Sequence, residues 1–156
     1  MNTDPAPSLV DYQAPWLAEL VAMWRASFEA GVGVIDPHPV AEQRQYFLDQ
    51  VLSNNVVRLA IRDGQLLGFV AASSESVAQL YVRLGCHRRG IGTQMLEWAK
   101  AQSGGSLWLY TFERNQVACK FYERNGFTVA ARGFETMWQL DDVKYQWSGA
   151  AQRRRT

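Results

Sequence analysis

The stretch from Ala78 to Lys100, AQLYVRLGCHRRGIGTQMLEWAK, most constrains the fold of this 156-residue chain. Its apolar beginning, up to Val82, predicts a strand, and the helical spacing of apolar residues from Ile91 onward predicts an amphipathic helix. A basic turn with two glycines lies between them. A strand that leads through such a turn into a helix is suited to receive an anion, because the first helical N–H groups have no intrahelical acceptor and carry partial positive charge.

The residues of this turn favour a phosphate ligand. The turn contains Arg88, Arg89, Gly90 and Gly92. Glycines let a phosphate approach the backbone and permit positive φ, and arginines can hold further phosphate oxygens. A P-loop is excluded because Thr93 follows the last glycine with no lysine between them. A dinucleotide fingerprint is excluded because Met95 stands where its third glycine is needed.

The size of the chain predicts one domain, residues 1–150, with a basic tail, residues 151–156. A net charge of +1 gives no electrostatic case for nucleic acid. The N-terminus has no signal pattern, and no apolar run approaches the length of a membrane span. Cys86 and Cys119 lack metal-ligand spacing, so we expect no metal and a reduced, cytoplasmic setting.

Periodicity and turn residues predict an α/β domain with a mixed sheet. Asp63-Gly64 is a strong two-residue hairpin signal, and three successive strands predict an antiparallel meander. The predicted helices span 16–28, stopped by Gly31 and Gly33, then 40–52, 91–102 and 115–125. The predicted strands span 8–12, 56–61, 66–72, 77–82, 107–112, 127–134 and 137–147. The helical crossover after the fourth strand predicts that the fourth and fifth strands run parallel.

A second informative stretch is TFERNQVACKFYERNGF, from Thr111 to Phe127. Asn115 fits a helix N-cap, and Gly126 fits the left-handed residue after the helix. Ala118 and Tyr122 lie three and seven residues after Asn115, so all three share one helix face. Core packing explains the alanine, but it explains the asparagine and the tyrosine less well.

The two stretches together resemble the GCN5-related N-acetyltransferase family. R-R-G-I-G-T before a helix resembles the family signature (Gln/Arg)-x-x-Gly-x-(Gly/Ala), with His87 at its first position, and Asn-x-x-Ala-x-x-x-Tyr-x-x-x-Gly-Phe resembles a second family segment. They occur in the family's order, with 22 residues between Gly92 and Asn115. At His87 we expect a weaker or water-mediated phosphate contact than Gln or Arg would make.

This resemblance implies the acyl-CoA N-acyltransferase fold, in which about four helices flank a mixed, mostly antiparallel sheet of about six to seven strands with a splayed parallel pair. It implies acetyl-CoA as co-substrate, with its pantetheine arm between the splayed strands, and Tyr122 as the general acid. The implied acetyl-CoA-binding residues are Leu80, Tyr81, Val82, His87, Arg88, Arg89, Gly90, Ile91, Gly92, Thr93, Asn115, Ala118 and Tyr122.

The general base and the acceptor stay open at the level of sequence. Glu75, Glu135 or water alone could accept the proton, because Ser76 stands where many relatives have a glutamate. The resemblance implies an acceptor pocket between residues 31–40 and 133–138, where carboxylates such as Asp36 and aromatics such as Trp138 suit a cationic amine. His38, between two prolines, is interpreted as a solvated loop histidine.

Two functions follow from the resemblance. The first is an N-acetyltransferase in which the primary amine of a small molecule or peptide attacks acetyl-CoA directly. The second is a non-catalytic acetyl-CoA-binding sensor or interaction module with the same fold. Exposed sheet edges and six tryptophans are compatible with a homodimer.

Overall fold

A computed structural model describes residues 5–87 and 89–149 of the protein and contains seven strands and four helical segments there. The strands are β1 (Ser8–Asp11), β2 (Val56–Arg62), β3 (Gln65–Ala72), β4 (Val77–Val82), β5 (Ser106–Phe112), β6 (Thr128–Glu135) and β7 (Leu140–Ser148). The helices are α1 (Leu17–Val32), α2 (Val40–Tyr46), α3 (Ile91–Gln102) and α4 (Gln116–Arg124). A 3-10 turn (Ala14–Trp16) precedes α1, and α2 continues through a π-helical turn (Phe47–Val51) and a last turn (Leu52–Asn54). The predicted order of elements is confirmed.

The first sheet contains β1 to β4 in sequence order, and all of its neighbours are antiparallel. The β2–β3 hairpin turns at Asp63 and Gly64, whose φ angles of 51° and 72° are both positive. Two positive φ angles are typical of a type I′ turn, whose twist matches that of the flanking strands. The predicted meander and its hairpin are therefore confirmed.

The second sheet has the order β5-β7-β6 and meets the first at an isolated parallel bridge between Ser76 and Trp108. At this junction the Trp108 N–H donates to the Glu75 carbonyl at 3.1 Å. Beyond the bridge, β4 and β5 are not paired, although they run in the same direction. The predicted splayed parallel pair is confirmed, and the gap between its strands positions the candidate site.

Two apolar cores lie on opposite faces of the first sheet. On one face, Met95 of α3 packs with Leu67 of β3 and with residues of α4, β5 and β7. On the other face, Leu20 of α1 packs with Phe47 and Phe69. Each fully buried side chain of this size contributes about 1.5–3 kcal/mol to folding, so the gap between β4 and β5 is flanked by helices that large buried contacts fix in place.

Two predicted boundaries were wrong. Helix α1 continues through Gly31 and ends at Val32, and Gly33, with φ 78°, follows it and donates its N–H to the Glu29 carbonyl at 2.9 Å. Strand β7 begins at Leu140 rather than at residue 137, because a hairpin turn occupies residues 136–139. At both boundaries the observed end of the element differs from the one that the local sequence pattern predicts, and contacts with other residues determine it.

The predicted basic tail, residues 151–156, and Arg88 lie outside the described residues. Of the helices in the described part of the chain, none combines the length and the apolar character that crossing a bilayer requires.

Candidate active site

The glycine-bearing turn connects the end of β4 to the start of α3. Gly90 is the N-cap of α3 and has a left-handed conformation with φ 78°. Apart from its two chain neighbours, no described residue has a heavy atom within 4 Å of the position that a Cβ of Gly90 would occupy. A residue with a Cβ is strained by about 1–3 kcal/mol in this conformation, so Gly90 supplies both the turn and an open approach to the backbone.

Gly92 has a different role, which the sequence did not predict. A Cβ at Gly92 would lie 3.1 Å from Cζ of Phe121 and 3.6 Å from Cγ2 of Val82. The ring of Phe121 on α4 therefore packs directly against the first turn of α3. Gly92 is needed for this close approach of the two helices, whereas Gly90 is needed for the conformation of the turn.

The first turn of α3 presents backbone donors beside the basic turn. Gln94 is the first residue whose N–H finds an acceptor within the helix, the Gly90 carbonyl at 2.9 Å. The N–H groups of Ile91, Gly92 and Thr93 precede it and have no intrahelical acceptor. The side chains of His87, Arg89 and Thr93 are exposed around this helix end, so donors and cations are gathered where an anion would lie.

Strand β4 has one edge that faces away from β3. The Arg83 N–H donates to Leu67 of β3 at 2.7 Å, whereas the Val82 carbonyl accepts a 2.8 Å hydrogen bond from the buried Ser27 hydroxyl of α1. Since successive residues of a strand alternate in direction, the backbone groups of Leu80 point to the same side as those of Val82. A bulge between Val77 and Gln79 precedes this stretch.

Asn115 is the N-cap of α4, as predicted. Its Oδ1 accepts a hydrogen bond from the Ala118 N–H at 3.2 Å. Its Nδ2 lies only 2.7 Å from the position that a Cβ of Gly31 would occupy. Asn115 therefore closes α4 and also packs against α1, which explains why α1 passes through a glycine at residue 31.

Tyr122 lies on the inner face of α4, 7% exposed, with its ring 5.7 Å from that of Phe127 and 6.1 Å from that of Tyr145. Burial raises the pKa of the Tyr122 phenol well above its ordinary value, and interactions with Tyr81 and Cys119 add to this. No described residue hydrogen-bonds its hydroxyl. A hydroxyl that lacks a protein partner, on an otherwise buried side chain, is available to a ligand.

Tyr81 of β4 approaches this region from the other face of the sheet. Its ring packs against Trp24 and Phe69, with centroids 6.3 Å and 6.0 Å apart. Burial raises the pKa of Tyr81 to about 12, and a hydrogen bond with Trp24 offsets part of that rise. The phenols of Tyr81 and Tyr122 are thus protonated at neutral pH.

The two carboxylates considered as general bases, Glu75 and Glu135, both lie in turns. Glu75 is exposed in the turn before β4, where its N–H donates to the Ser73 hydroxyl at 3.2 Å. Glu135 accepts hydrogen bonds from the N–H groups of Met137 at 3.0 Å and Trp138 at 2.6 Å. Both oxygens of Glu135 are therefore engaged in forming the β6–β7 turn.

A cluster that the sequence interpretation missed joins the α1–α2 loop to the β6–β7 turn. Nδ1 of His38 lies 2.7 Å from Oδ1 of Asp36, which is 8% exposed. The His38 ring meets the Trp138 ring at 5.2 Å, and Trp138 packs against Phe28 at 4.9 Å. His38 therefore lies in a loop with its side chain 40% exposed, but Asp36 and Trp138 hold its ring, so it is not fully solvated. The Asp-Pro-His spacing, which allows an aspartate to bond the N–H two residues later, was the one local signal for this pair.

A cavity of about 390 Å³ opens at the carboxyl end of β5 and the β6–β7 hairpin. It is lined by Glu113, Arg114, Gln116, Phe134, Gln139, Leu140 and Asp141. Glu113 pairs with Arg132 at 2.7 Å. Of the two predicted pocket segments, 31–40 and 133–138, the second contributes Phe134 to the cavity lining. The two segments contact each other directly through His38 and Trp138.

Known proteins resemble this chain in sequence and in fold. Residues 53–129 match the family model of the acetyltransferase (GNAT) domain. The chain is 31% identical over 86 residues to the peptidyl-lysine N-acetyltransferase YiaC of Escherichia coli (strain K12), which covers 54% of this chain and 58% of that protein. The match thus spans little more than half the length of this relative.

Solved structures share the fold over most of the chain. A GCN5-related N-acetyltransferase from Rhodopseudomonas palustris has a TM-score of 0.74 at 19% identity, covering 95% of this chain and 99% of its own. The PaiA N-acetyltransferase from Thermoplasma acidophilum, solved in complex with coenzyme A, has a TM-score of 0.72 at 18% identity, covering 90% and 98%. With the splayed strands and both sequence motifs, these findings agree: the chain belongs to the GCN5-related N-acetyltransferase family.

Proposed function

We propose that this protein is an acetyl-CoA-dependent N-acetyltransferase in which a primary amine of a small molecule or peptide attacks the thioester directly. One observation carries the proposal. Strands β4 and β5 separate beyond the Ser76–Trp108 bridge, and the glycine-bearing turn lies at the open end of β4. An extended thioester arm fits along an unpaired strand edge, and its phosphates fit against a helix N-terminus.

Each part of acetyl-CoA has a counterpart in this arrangement. The pyrophosphate would bind the N–H groups of Ile91 to Thr93, with His87 and Arg89 around them. The amides of the pantetheine arm would pair with the free edge at Leu80 to Val82. Because Ser27 already engages the Val82 carbonyl, the N–H and carbonyl of Leu80 and the N–H of Val82 are left for the arm, and the two N–H groups are the available donors to the thioester oxygen.

The reaction needs an amine, a polarised carbonyl and a proton for the leaving sulfur. The neutral amine attacks the thioester carbon, the C–N bond forms, the C–S bond breaks, and the nitrogen gives up its extra proton to a general base or to water. The thiolate of CoA then takes a proton from Tyr122, whose phenol lacks another partner among the described residues. Asn115 and Ala118 hold α4 so that Tyr122 faces the gap.

The acceptor is proposed from chemistry and from a relative. The cavity beside β5 and the Asp36–His38–Trp138 cluster combine carboxylates with aromatic rings, which suit a cationic amine before it loses its proton. YiaC is named as a peptidyl-lysine N-acetyltransferase. A lysine-containing peptide is therefore the first acceptor to test, followed by small primary amines.

The first test is the thermal shift of the protein with acetyl-CoA, with CoA and ATP for comparison, followed by thiol release with amine acceptors. At about 100 times the dissociation constant, a ligand specific for the folded state adds about 2.7 kcal/mol, which raises Tm by about 5–10 °C for a chain of this size. No shift at near-millimolar acetyl-CoA contradicts the proposal. A shift without thiol release from any amine favours the non-catalytic sensor instead.

A matched pair of variants sharpens the test. Gly90 and Gly64 have φ angles of 78° and 72°, and among the described residues neither has a heavy atom within 4 Å of its missing Cβ, chain neighbours aside. Gly90→Ala and Gly64→Ala should therefore lower Tm similarly without ligand. Only Gly90→Ala should weaken acetyl-CoA binding, by tenfold or more, because its Cβ projects where a phosphate would approach. Equal affinities in the two variants would mean that the phosphates bind elsewhere.

A further inference from the structure

The loop between α1 and α2 is held to α1 around Asp36. The Asp36 carbonyl accepts a 2.7 Å hydrogen bond from Nη2 of Arg25, and its N–H donates to Oε2 of Glu29 at 2.6 Å. Nη1 of Arg25 also donates to Oε1 of Gln43 on α2 at 3.1 Å. Because both backbone polar groups of Asp36 are tied to α1, its buried carboxylate has a fixed direction.

That carboxylate faces the imidazole of His38. Oδ1 of Asp36 accepts the His38 N–H at 2.9 Å and lies 2.7 Å from Nδ1 of the ring. In the neutral ring the proton then lies on Nδ1, and Nε2 is left as the acceptor. The ring is 40% exposed, and no described residue hydrogen-bonds Nε2. An imidazole oriented in this way can take a proton from a substrate, as in other His–carboxylate pairs.

The ring is also placed at the boundary of the splayed strands. Trp138 contacts His38 on one side and Phe28 on the other. Phe28 in turn packs against Phe112, the last residue of β5, with centroids 6.1 Å apart. His38 is thus connected through three aromatic rings to the strand that borders the proposed thioester channel.

We propose that His38, oriented by Asp36, is the general base of the acetyl transfer and that Trp138 forms a wall of the acceptor subsite. This inference rests on the proposed function. Nε2 of His38 accepts a proton from the acceptor nitrogen as that nitrogen forms its bond to the thioester carbon. The C–S electron pair leaves with sulfur, which takes the Tyr122 proton, and the imidazolium is stabilised by Asp36. Asp36 is a positioning residue, because it acts through His38.

Three charged groups near this pair, Arg25, Glu29 and Glu135, are already engaged. Arg25 and Glu29 of α1 bind the backbone of Asp36, and Glu135 binds the turn that carries Trp138. Glu75 lies at the closed end of the strand pair, next to the Ser76–Trp108 bridge. His38 is the one group among these that combines an accessible proton acceptor with a buried counter-charge.

The first experiment compares His38→Gln and Asp36→Asn with the exposed control Asp49→Asn, using thiol release from acetyl-CoA. General bases contribute about 10²–10⁴-fold to rate. His38→Gln should lower kcat by about 100-fold or more, and Asp36→Asn by an intermediate factor, with no change in the acetyl-CoA thermal shift. The acidic limb of the wild-type kcat/KM profile should disappear in His38→Gln, and added imidazole should restore activity to His38→Ala. The Asp49→Asn rate should match the wild type.

Two results would overturn the inference. One is a His38→Gln enzyme with kcat within about threefold of the wild type, whether or not KM rises. Such a result would mean that His38 has only a structural or acceptor-binding role, because the chemical step would be intact without it. The other comes from ¹⁵N NMR of the His38 ring, which needs no acceptor and no variant. A neutral ring protonated on Nε2 excludes the base role, whereas a proton on Nδ1 supports it. A wild-type protein that binds no acetyl-CoA would instead contradict the proposed function, and the ring measurement would still decide the geometry.

Discussion

Tyr122 illustrates how the surroundings of one side chain decide its chemistry. Burial raises the pKa of its phenol, so the proton stays on oxygen at any pH at which the enzyme would work. A thiol has a reference pKa near 8.5, so transfer of this proton to a free thiolate is uphill. The transfer becomes feasible only for a thiolate that is itself desolvated beside Tyr122, which makes the position of the hydroxyl more important than its acidity.

Tyr122→Phe should therefore impair chemistry but not binding. We expect kcat to fall by about tenfold or more, while the thermal shift with acetyl-CoA stays unchanged because the ring packing against Phe127 and Tyr145 is retained. Since the acid must be protonated and the pKa of Tyr122 is raised, no alkaline loss of activity due to this group is expected below about pH 10. The exposed Tyr110 provides the control, Tyr110→Phe. Unchanged turnover in Tyr122→Phe would exclude the acid role.

At the scale of secondary-structure elements, one contact fixes the helix that carries Tyr122. Asn115 caps α4 with Oδ1 and meets Gly31 of α1 with Nδ2. The position of α4 thus depends on a glycine in a different helix, 84 residues earlier in the chain. The contact couples α4, on the proposed acetyl-CoA side of the site, to the end of α1, which precedes the loop that carries Asp36.

This coupling predicts a non-additive double-mutant cycle. Gly31→Ala would place a Cβ 2.7 Å from Nδ2 of Asn115 and should lower the free energy of unfolding by about 1–3 kcal/mol. Asn115→Ala loses the cap, which costs about 1 kcal/mol. In the double variant the clash is absent, so its loss should be smaller than the sum by at least about 0.5 kcal/mol. Urea unfolding measures all four proteins, and additive losses would show that the two residues do not interact.

The elements themselves were largely predictable, because their signals are local. The Asp63-Gly64 turn, the Asn115 cap and the period of α3 each specify structure from a few adjacent residues. The site was predictable only where it coincides with such signals, as in the turn at Gly90. Other parts of the site depend on contacts between segments that are distant in sequence, and the residues next to them carry no local signal for these contacts. Examples are the contact between Gly92 and Phe121, the Ser27–Val82 hydrogen bond and the contact of His38 with Trp138.

At the scale of the whole molecule, the buried phenols connect the architecture of the site to stability. Tyr81 and Tyr122 come from opposite faces of the first sheet and interact electrostatically, and burial raises the pKa of both. A protein that keeps two phenols desolvated beside an open strand edge is stable only while both stay neutral. The proposed acetyl-transfer site is therefore expected to lose stability first at alkaline pH.

The pH dependence of unfolding tests this expectation. Burial raises the pKa of Tyr81 from its ordinary value of 10.0 to about 12 in the folded protein. Between these values the unfolded chain loses the proton first, so the stabilisation is fully present below about pH 10 and is lost as pH rises toward 12. One raised group contributes a slope of about 1.4 kcal/mol per pH unit in this window. Tyr81→Phe should flatten the fall in the free energy of unfolding between pH 10 and 11.5, relative to the wild type and to Tyr110→Phe, since lysine deprotonation affects all three alike. If the free energy of unfolding fell equally with pH in the three proteins, Tyr81 would be hydrated in solution. The gap between β4 and β5 would then contain more water than its packing indicates.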